Sequence, residues 1–441
     1  MKVSFLLGAG FSRPAGYPLA TELSAKILRV QASGIATHPD GQAELRPEFL
    51  VHLQTTPDMP FPDPSDDFSR PKRAGADALE AVLNVYGQSH DLSNYEEFYD
   101  ELYCYRKSDP IRLNAPVFQA ECRRLNLHHD PARAGEGRHV EQALSMAFKI
   151  FPQLLEQLIK EDPALASAGA GAAYQRFFNL LRTSSSRPRG FFADTPTPAH
   201  EFYLHTLNHD LFVEKRLREE DLQAAISYSD GFNEIGSPYY GRLEFDHEFP
   251  RWLQQDPRHA HVRMPCFTGK FSGPVQLFKL HGSLDYWSFG VEQSDTGRYK
   301  PQVVKKQPWL DHIHLYREVE VDGQLTYRID FTNYHALFLS GTTAKLEQYA
   351  DPILFGQLLE HFSLNLANSS ILVVIGYGFR DEGINKLLLP FLQDPAKQVI
   401  IIGRELPEHP AVRPDMFRPG GLEAYDFAEL EALLGVPQNE E

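Results

Sequence analysis

A chain of 441 residues, 42% of them hydrophobic, is long enough for one large domain with insertions or for two domains, and it can bury a core without disulfide staples. Its formal net charge of −16 and pI near 5.6 argue against a face that binds duplex nucleic acid, because phosphate contacts need clustered Lys and Arg. A small anion is still admissible, since backbone N–H groups can hold it whatever the net charge.

Cys104, Cys122 and Cys266 are widely spaced and form no CxxC pair, so neither a disulfide framework nor a cysteine zinc site is indicated and no metal is expected. No apolar run approaches the roughly 20 residues of a membrane span. The opening MKVSFLLGAG is interrupted by glycines too early for a signal segment. The expectation is a cytoplasmic protein without membrane contact.

Residues 3–7, VSFLL, are a continuous β-branched and aromatic run, the pattern of a strand buried on both faces of a parallel sheet. Gly8 and Gly10 follow it, and PLATELSAKIL (18–28) carries Leu19, Leu23, Ile27 and Leu28 at helical spacing, so the opening reads β-turn-α. In that context a G-x-G turn can bring backbone N–H groups and a helix N-terminus onto a pyrophosphate. A tight turn would use the same glycines, and position 13 is Arg13 rather than the third glycine of the dinucleotide fingerprint.

The gap from there to residue 200 is too long for one crossover. Within it DMPFPDPSDDFSRPKR (58–73) and RTSSSRPRG (182–190) read as loops or boundaries. SNYEEFYDELYCY (93–105) opens with a capping box of Ser93 and Glu96, and HVEQALSMAFKIFPQLLEQLIKE (139–161) has strong helical periodicity. The expected division is a first βα unit over 1–35, a mostly helical insertion over 36–190, and the remainder of the domain over 191–441.

Further strand-like runs are EFYLHTLN (201–208), VQLFKLHG (275–282), ILVVIG (371–376) and QVIIIG (398–403). YREVEVDGQLTYRIDF (316–331) flanks Asp322-Gly323 with two alternating runs, a hairpin signal, within a small insertion near 290–336. A last helix is expected in DFAELEALL (426–434). The fold class is then α/β: a Rossmann-like doubly wound parallel sheet with a large helical insertion and a small β-hairpin insertion, and a ligand crevice at the carboxyl ends of its strands.

Four loops at that end carry the candidate chemistry. Besides Gly8 and Gly10, TLNHDL (206–211) places Asn208 and Asp210 at the rim. Asn could orient a water or an amide and Asp a ribose hydroxyl, or the two could cap the helix LFVEKRLREE; His209 reads as a solvated turn residue. FKLHGSLDYW (278–287) ends a strand with His281, either a proton-exchanging group near neutral pH or a satisfied structural histidine. IGYGFRDEGIN (375–385) puts Gly376 and Gly378 at a strand end with Asp381 and Asn385 entering a helix, as a site or as a plain turn with an Asp cap. All four lie at one end of one expected sheet, and jointly they favour a dinucleotide site.

GAGFSRPAGYP, LNHD, KLHGS and IGYGFRD, in this order, resemble the sirtuin-like NAD-binding family, particularly its bacterial branch of antiphage-defence NADases, over segments 1–30, 195–235, 270–290 and 338–415. The resemblance implies that Gly8, Ala9, Gly10, Phe11 and Ser12 line the pyrophosphate and nicotinamide-ribose region of NAD+. It implies that Asn208 and Asp210 stand beside the nicotinamide ribose and that His281 is the catalytic histidine. Gly376, Tyr377 and Gly378 would contact the phosphate or adenosine side, with Asp381 among the cofactor-binding residues. It further implies homo-oligomers and a HerA-like hexameric ATPase as partner. Sirtuin deacylases carry a four-cysteine zinc module and an Ile-Pro-Asp-Phe-Arg continuation of the glycine loop; this chain has no CxxC and reads GYPLATEL. NAD+ hydrolysis is therefore expected ahead of two rivals, an NAD or ADP-ribose binding module without turnover and a protein deacylase.

Overall fold

The computed structural model describes residues 1–31, 34–37, 43–45, 70–92, 94–129, 139–160, 168–185, 200–218, 226–244, 259–292, 299–306, 315–321, 323–329, 331–332, 336–339, 349 and 353–435. Seven strands, β1 (Lys2–Leu7), β2 (Glu201–Thr206), β3 (Tyr228–Ser229), β4 (Val275–Lys279), β5 (Ile371–Ile375), β6 (Gln398–Gly403) and β7 (Phe417–Pro419), form one sheet in the order β7-β6-β5-β1-β2-β4-β3. Every pairing in it is parallel. The strand order runs outward from β1 in both directions, as in a doubly wound Rossmann-like sheet whose switch point lies between β1 and β5. The five long apolar runs of the sequence are five of these strands.

Alternation along the strands serves helices on both faces. Val3, Phe5 and Leu7 join the core that contains Phe177 and Phe178 of α6 (Ala168–Ser185), where the rings of Phe5 and Phe177 meet edge-on at 5.4 Å. Ser4 instead meets Ser369 at 2.9 Å between hydroxyls. His205 packs its ring 4.7 Å from that of Phe362 of α8 (Phe355–Asn368).

His205 has no access to solvent. Its Nδ1–H donates to the Phe5 carbonyl at 3.0 Å and its Nε2 accepts from Asn365 at 3.1 Å, so the ring is held neutral. Burial pushes its pKa down to about 3. The unfolded chain protonates this group below about pH 6.5 while the folded chain does not until near pH 3, so folding loses stability as pH falls through that window. Between pH 6 and 4 the folded-to-unfolded ratio is expected to drop about tenfold per pH unit from this group alone. Urea unfolding of wild type and His205→Leu across that range checks it: the variant should show a shallower pH dependence, and parallel curves would refute the assignment.

The chain divides into two compact units: Met1–Tyr17, Pro163–Asn333 and Gln348–Glu441 carry the sheet, and Pro18–Asp162 with Tyr334–Glu347 form the other. These boundaries differ from the expected 1–35, 36–190 and 191–441. The helix α6 lies inside the expected insertion yet belongs to the sheet unit, because Phe177 and Phe178 cover β1. The helix α2 (Ala20–Ile27), expected as part of the first βα unit, belongs to the second unit.

In that second unit α3 (Arg70–Ser89) lies against α5 (Val140–Lys160), at a spacing so close that a Cβ on Gly75 would stand 2.5 Å from Met146 Cγ. The helix α4 (Tyr95–Arg106) packs Phe98 on Phe151 at 5.2 Å between ring centres. Its cap is Asn94, whose side chain accepts from the Glu96 N–H at 3.1 Å; the expected cap Ser93 lies outside the described residues, as do residues 58–69 and 186–190 of the expected loops.

The expected hairpin is present, with Leu315–Val321 antiparallel to Gln324–Ile329; Asp322 lies outside the described residues. It is part of a four-stranded sheet that also uses Tyr239–Glu244 and His259–Arg263. A second antiparallel sheet contains Tyr286–Glu292 and Tyr299–Lys305. The β-rich addition is thus larger than one hairpin. No helix among the described residues is long and apolar enough to cross a membrane.

Candidate active site

The last rung shared by the central strands runs Ile375, Leu7, Thr206, Lys279. Gly376 and Gly8 follow one residue beyond it, and Asn208 and His281 two residues beyond it, on loops leaving adjacent strands roughly 4.8 Å apart. The four sequence-predicted loops therefore emerge side by side at the carboxyl end of the sheet, beside its switch point, where open α/β sheets take ligands.

Between β1 and β5 two glycine loops press together. The N–H of Gly8 donates to the Ile375 carbonyl and that of Gly10 to the Gly376 carbonyl, each at 2.9 Å. A Cβ on Gly8 would fall 2.6 Å from the Gly376 oxygen, and one on Gly376, whose φ is +64°, would fall 2.4 Å from the Gly10 carbonyl carbon. Backbone contact alone requires these glycines. The Gly8 and Gly10 N–H groups are committed to that contact, and the Phe11 N–H goes to the Gly8 carbonyl at 2.9 Å, so the simple picture of these amides cradling a pyrophosphate does not hold.

The rest of the loop divides by exposure. Ala9 is exposed at the start of α1 (Ala9–Ser12). Phe11 is fully buried, its ring 5.4 Å from those of Tyr174 and Phe177, and its carbonyl accepts from the Tyr174 hydroxyl. Its side chain belongs to the core.

Ser12 ties the loop to the next one. Asn208 donates from Nδ2 to the Gly8 carbonyl and to the Ser12 hydroxyl, both at 2.9 Å. Because a carbonyl only accepts, the amide orientation is fixed: both Nδ2 hydrogens are used. The Ser12 hydroxyl also helps to hold the Asp210 carboxyl in its charged form. No hydrogen bond to Asn208 Oδ1 is formed among the described residues.

Asp210 is buried. Its side chain accepts from the Phe212 N–H at 3.0 Å at the start of α7 (Phe212–Arg218). Burial pushes its carboxyl above the usual range, against the pull of Lys279. It therefore caps α7. His209 is half-buried rather than solvated, with its ring 6.2 Å from that of His281.

His281 is nearly buried. Its Nε2 lies 3.2 Å from Asp381 Oδ2 and 3.1 Å from the Tyr349 hydroxyl, and that hydroxyl donates to the same Asp381 oxygen at 2.9 Å. The other Asp381 oxygen caps α9 (Glu382–Gln393), accepting from Ile384 at 3.1 Å. Asp381, expected among the cofactor-binding residues, thus partners the histidine. The Tyr377 hydroxyl lies 2.8 Å from Asn385 Oδ1, which pins its ring to the start of α9. Gly378 is exposed, and a Cβ there would meet nothing within 4 Å.

Sequence reasoning missed three participants. Lys279 is buried under the site: its ammonium donates to the Asp210 carbonyl and lies 3.2 Å from Glu214. The signal was a lone charge inside an apolar strand, which must find a partner. Tyr349 belongs to no recognisable pattern. Below the His281 loop, Lys305 lies 2.6 Å from Asp230 and 3.5 Å from Asp285. Burial works against its ammonium, but the two carboxylates outweigh it and hold its pKa well above the usual value. Among the described residues no three His, Cys, Asp or Glu side chains converge as metal ligands.

No protein-family model matches the chain, and no curated protein matches it either.

Proposed function

We propose that the protein is an NAD+ glycohydrolase, releasing nicotinamide and ADP-ribose. The carrying observation is the pairing of Asn208 and His281 at equivalent points of adjacent strand ends, Asn208 tied to the Gly8 carbonyl and the Ser12 hydroxyl and His281 to Asp381. Breaking the nicotinamide–ribose bond sends its electron pair to the pyridine nitrogen and leaves an oxocarbenium-like sugar. A water oxygen then bonds to the anomeric carbon and loses one proton. The Asn208 Oδ1 acceptor suits an amide N–H or a water hydrogen, and His281 takes the proton from water or from a ribose hydroxyl. Placement of these groups supplies most of the effect. Depletion of NAD+ in antiphage defence, in a homo-oligomer with a HerA-like hexameric ATPase, is the setting that the four-motif resemblance implies.

The test is nicotinamide and ADP-ribose formation from NAD+ by purified protein, with and without an acyl-lysine peptide. Release without peptide is the expected result. Release only with peptide would replace hydrolysis by deacylation, and saturable NAD+ binding without release would leave a binding module.

A further inference from the structure

We infer that Tyr349, outside every motif, is a positioning residue for His281. The three polar groups close a small ring: His281 Nε2 to Tyr349 Oη at 3.1 Å, Tyr349 Oη to Asp381 Oδ2 at 2.9 Å, and His281 Nε2 to Asp381 Oδ2 at 3.2 Å. Proton counting fixes its sense. The carboxylate only accepts, so the single phenolic hydrogen goes to Asp381. Toward His281 the phenol oxygen can then only accept, as does the carboxylate, so Nε2 carries the hydrogen. The neutral ring has its lone pair on Nδ1, and Asp381 balances the imidazolium formed when Nδ1 takes a proton.

Gly383 makes this possible. A Cβ there would stand 2.5 Å from Tyr349 Cε2 and 3.3 Å from Asp381 Oδ1, so any larger residue must push the phenol away from the ring of contacts. Among the described residues, the titratable groups seen to face the imidazole include Tyr349, Asp381 and the half-buried His209, whose ring lies 6.2 Å away.

The tautomer can be read without turnover; the catalytic consequence rests on the NAD+ hydrolase reading. Long-range ¹H–¹⁵N NMR on the full chain with labelled histidine, the His281 signals assigned by their loss in His281→Gln, should show an Nε2–H ring in wild type. In Tyr349→Phe and in Gly383→Ala the signals should move toward a tautomer mixture, with the melting temperature nearly unchanged in Tyr349→Phe. An Nδ1–H ring in wild type, or His281 signals unaffected by Tyr349→Phe, would overturn the assignment.

In turnover, Tyr349→Phe should lower kcat roughly tenfold, a fraction of the ~10²–10⁴ that a positioned base supplies, with KM within about twofold and a displaced pH profile. The double variant Tyr349→Phe/Gly383→Ala should lose no more than the worse single one, since both break one contact. Unchanged kcat and pH profile in an active enzyme would refute the role, whereas absence of nicotinamide release in wild type together with the expected NMR result would refute only the hydrolase reading.

Discussion

Asn208→Asp is expected to cut nicotinamide release by about 10²–10³-fold, the cost typical of removing one preorganised polar group from a reaction centre. The replacement is nearly isosteric, so the loss measures hydrogen-bond sense rather than space. Wild-type Nδ2 donates to Gly8 O and Ser12 Oγ; a carboxylate can donate to neither. It would face the Gly8 carbonyl as one acceptor against another. It would also be a buried carboxylate whose one remaining donor is the Ser12 hydroxyl, short of what it needs. That shortfall costs about 1–3 kcal/mol or more of stability. Asn208→Ala should lose release comparably while unfolding at a temperature nearer wild type, because it introduces no buried charge. Release by Asn208→Asp within threefold of wild type would mean that the amide is not needed and would remove Asn208 from the site.

The fold was legible because a doubly wound sheet writes its central strands as uninterrupted apolar runs, and ILVVI and QVIII admit few other readings. The same property explains what was missed at the sheet edges. Tyr228–Ser229 and Phe417–Pro419, two and three residues long, are too short to carry any period. Helix allegiance was also hidden, since the pattern around Phe177 shows an apolar face without showing which surface it covers.

At the site, the sequence placed Asn208, His281 and the glycines at one sheet end, because chain position relative to a strand end determines which rim a residue reaches. It could not tell which atoms would be spent. Gly8 and Gly10 read as phosphate ligands, yet their amides close onto residues 375 and 376. Asp381 read as a cofactor contact, and it meets His281 across 100 residues of chain. Such pairings depend on side-chain reach between loops, which no local spacing encodes.

Lys279→Met is expected to be the most destabilising of the substitutions considered, by about 3–5 kcal/mol, as when one member of a buried ion pair is removed. That is a large share of the roughly 5–15 kcal/mol that holds a folded domain together. Lys279 and Glu214 have side chains 1% and 2% exposed and stand 3.2 Å apart, in ionic contact without hydrogen-bond alignment, since neither Glu214 oxygen has a hydrogen-bond partner among the described residues. Burial already pushes the Glu214 carboxyl above its usual range, with Lys279 opposing, and Asp210 behaves likewise.

Without the ammonium both acids rise further. A carboxylate whose folded pKa lies above its unfolded value destabilises the fold increasingly as pH rises from the unfolded value to the folded one, and that penalty fades as pH falls back through this window. Urea unfolding should therefore show the deficit of Lys279→Met relative to wild type to be larger at pH 7.5 than at pH 5.5. Glu214→Leu combined with Lys279→Met should recover much of it, because apolar replacement of both partners leaves no unpaired charge. Recovery will be incomplete, since the Asp210 carbonyl still loses the Lys279 hydrogen bond. A deficit under 1 kcal/mol that does not change with pH would mean that the pair contributes little and that the Asn208 loop stands on its other contacts.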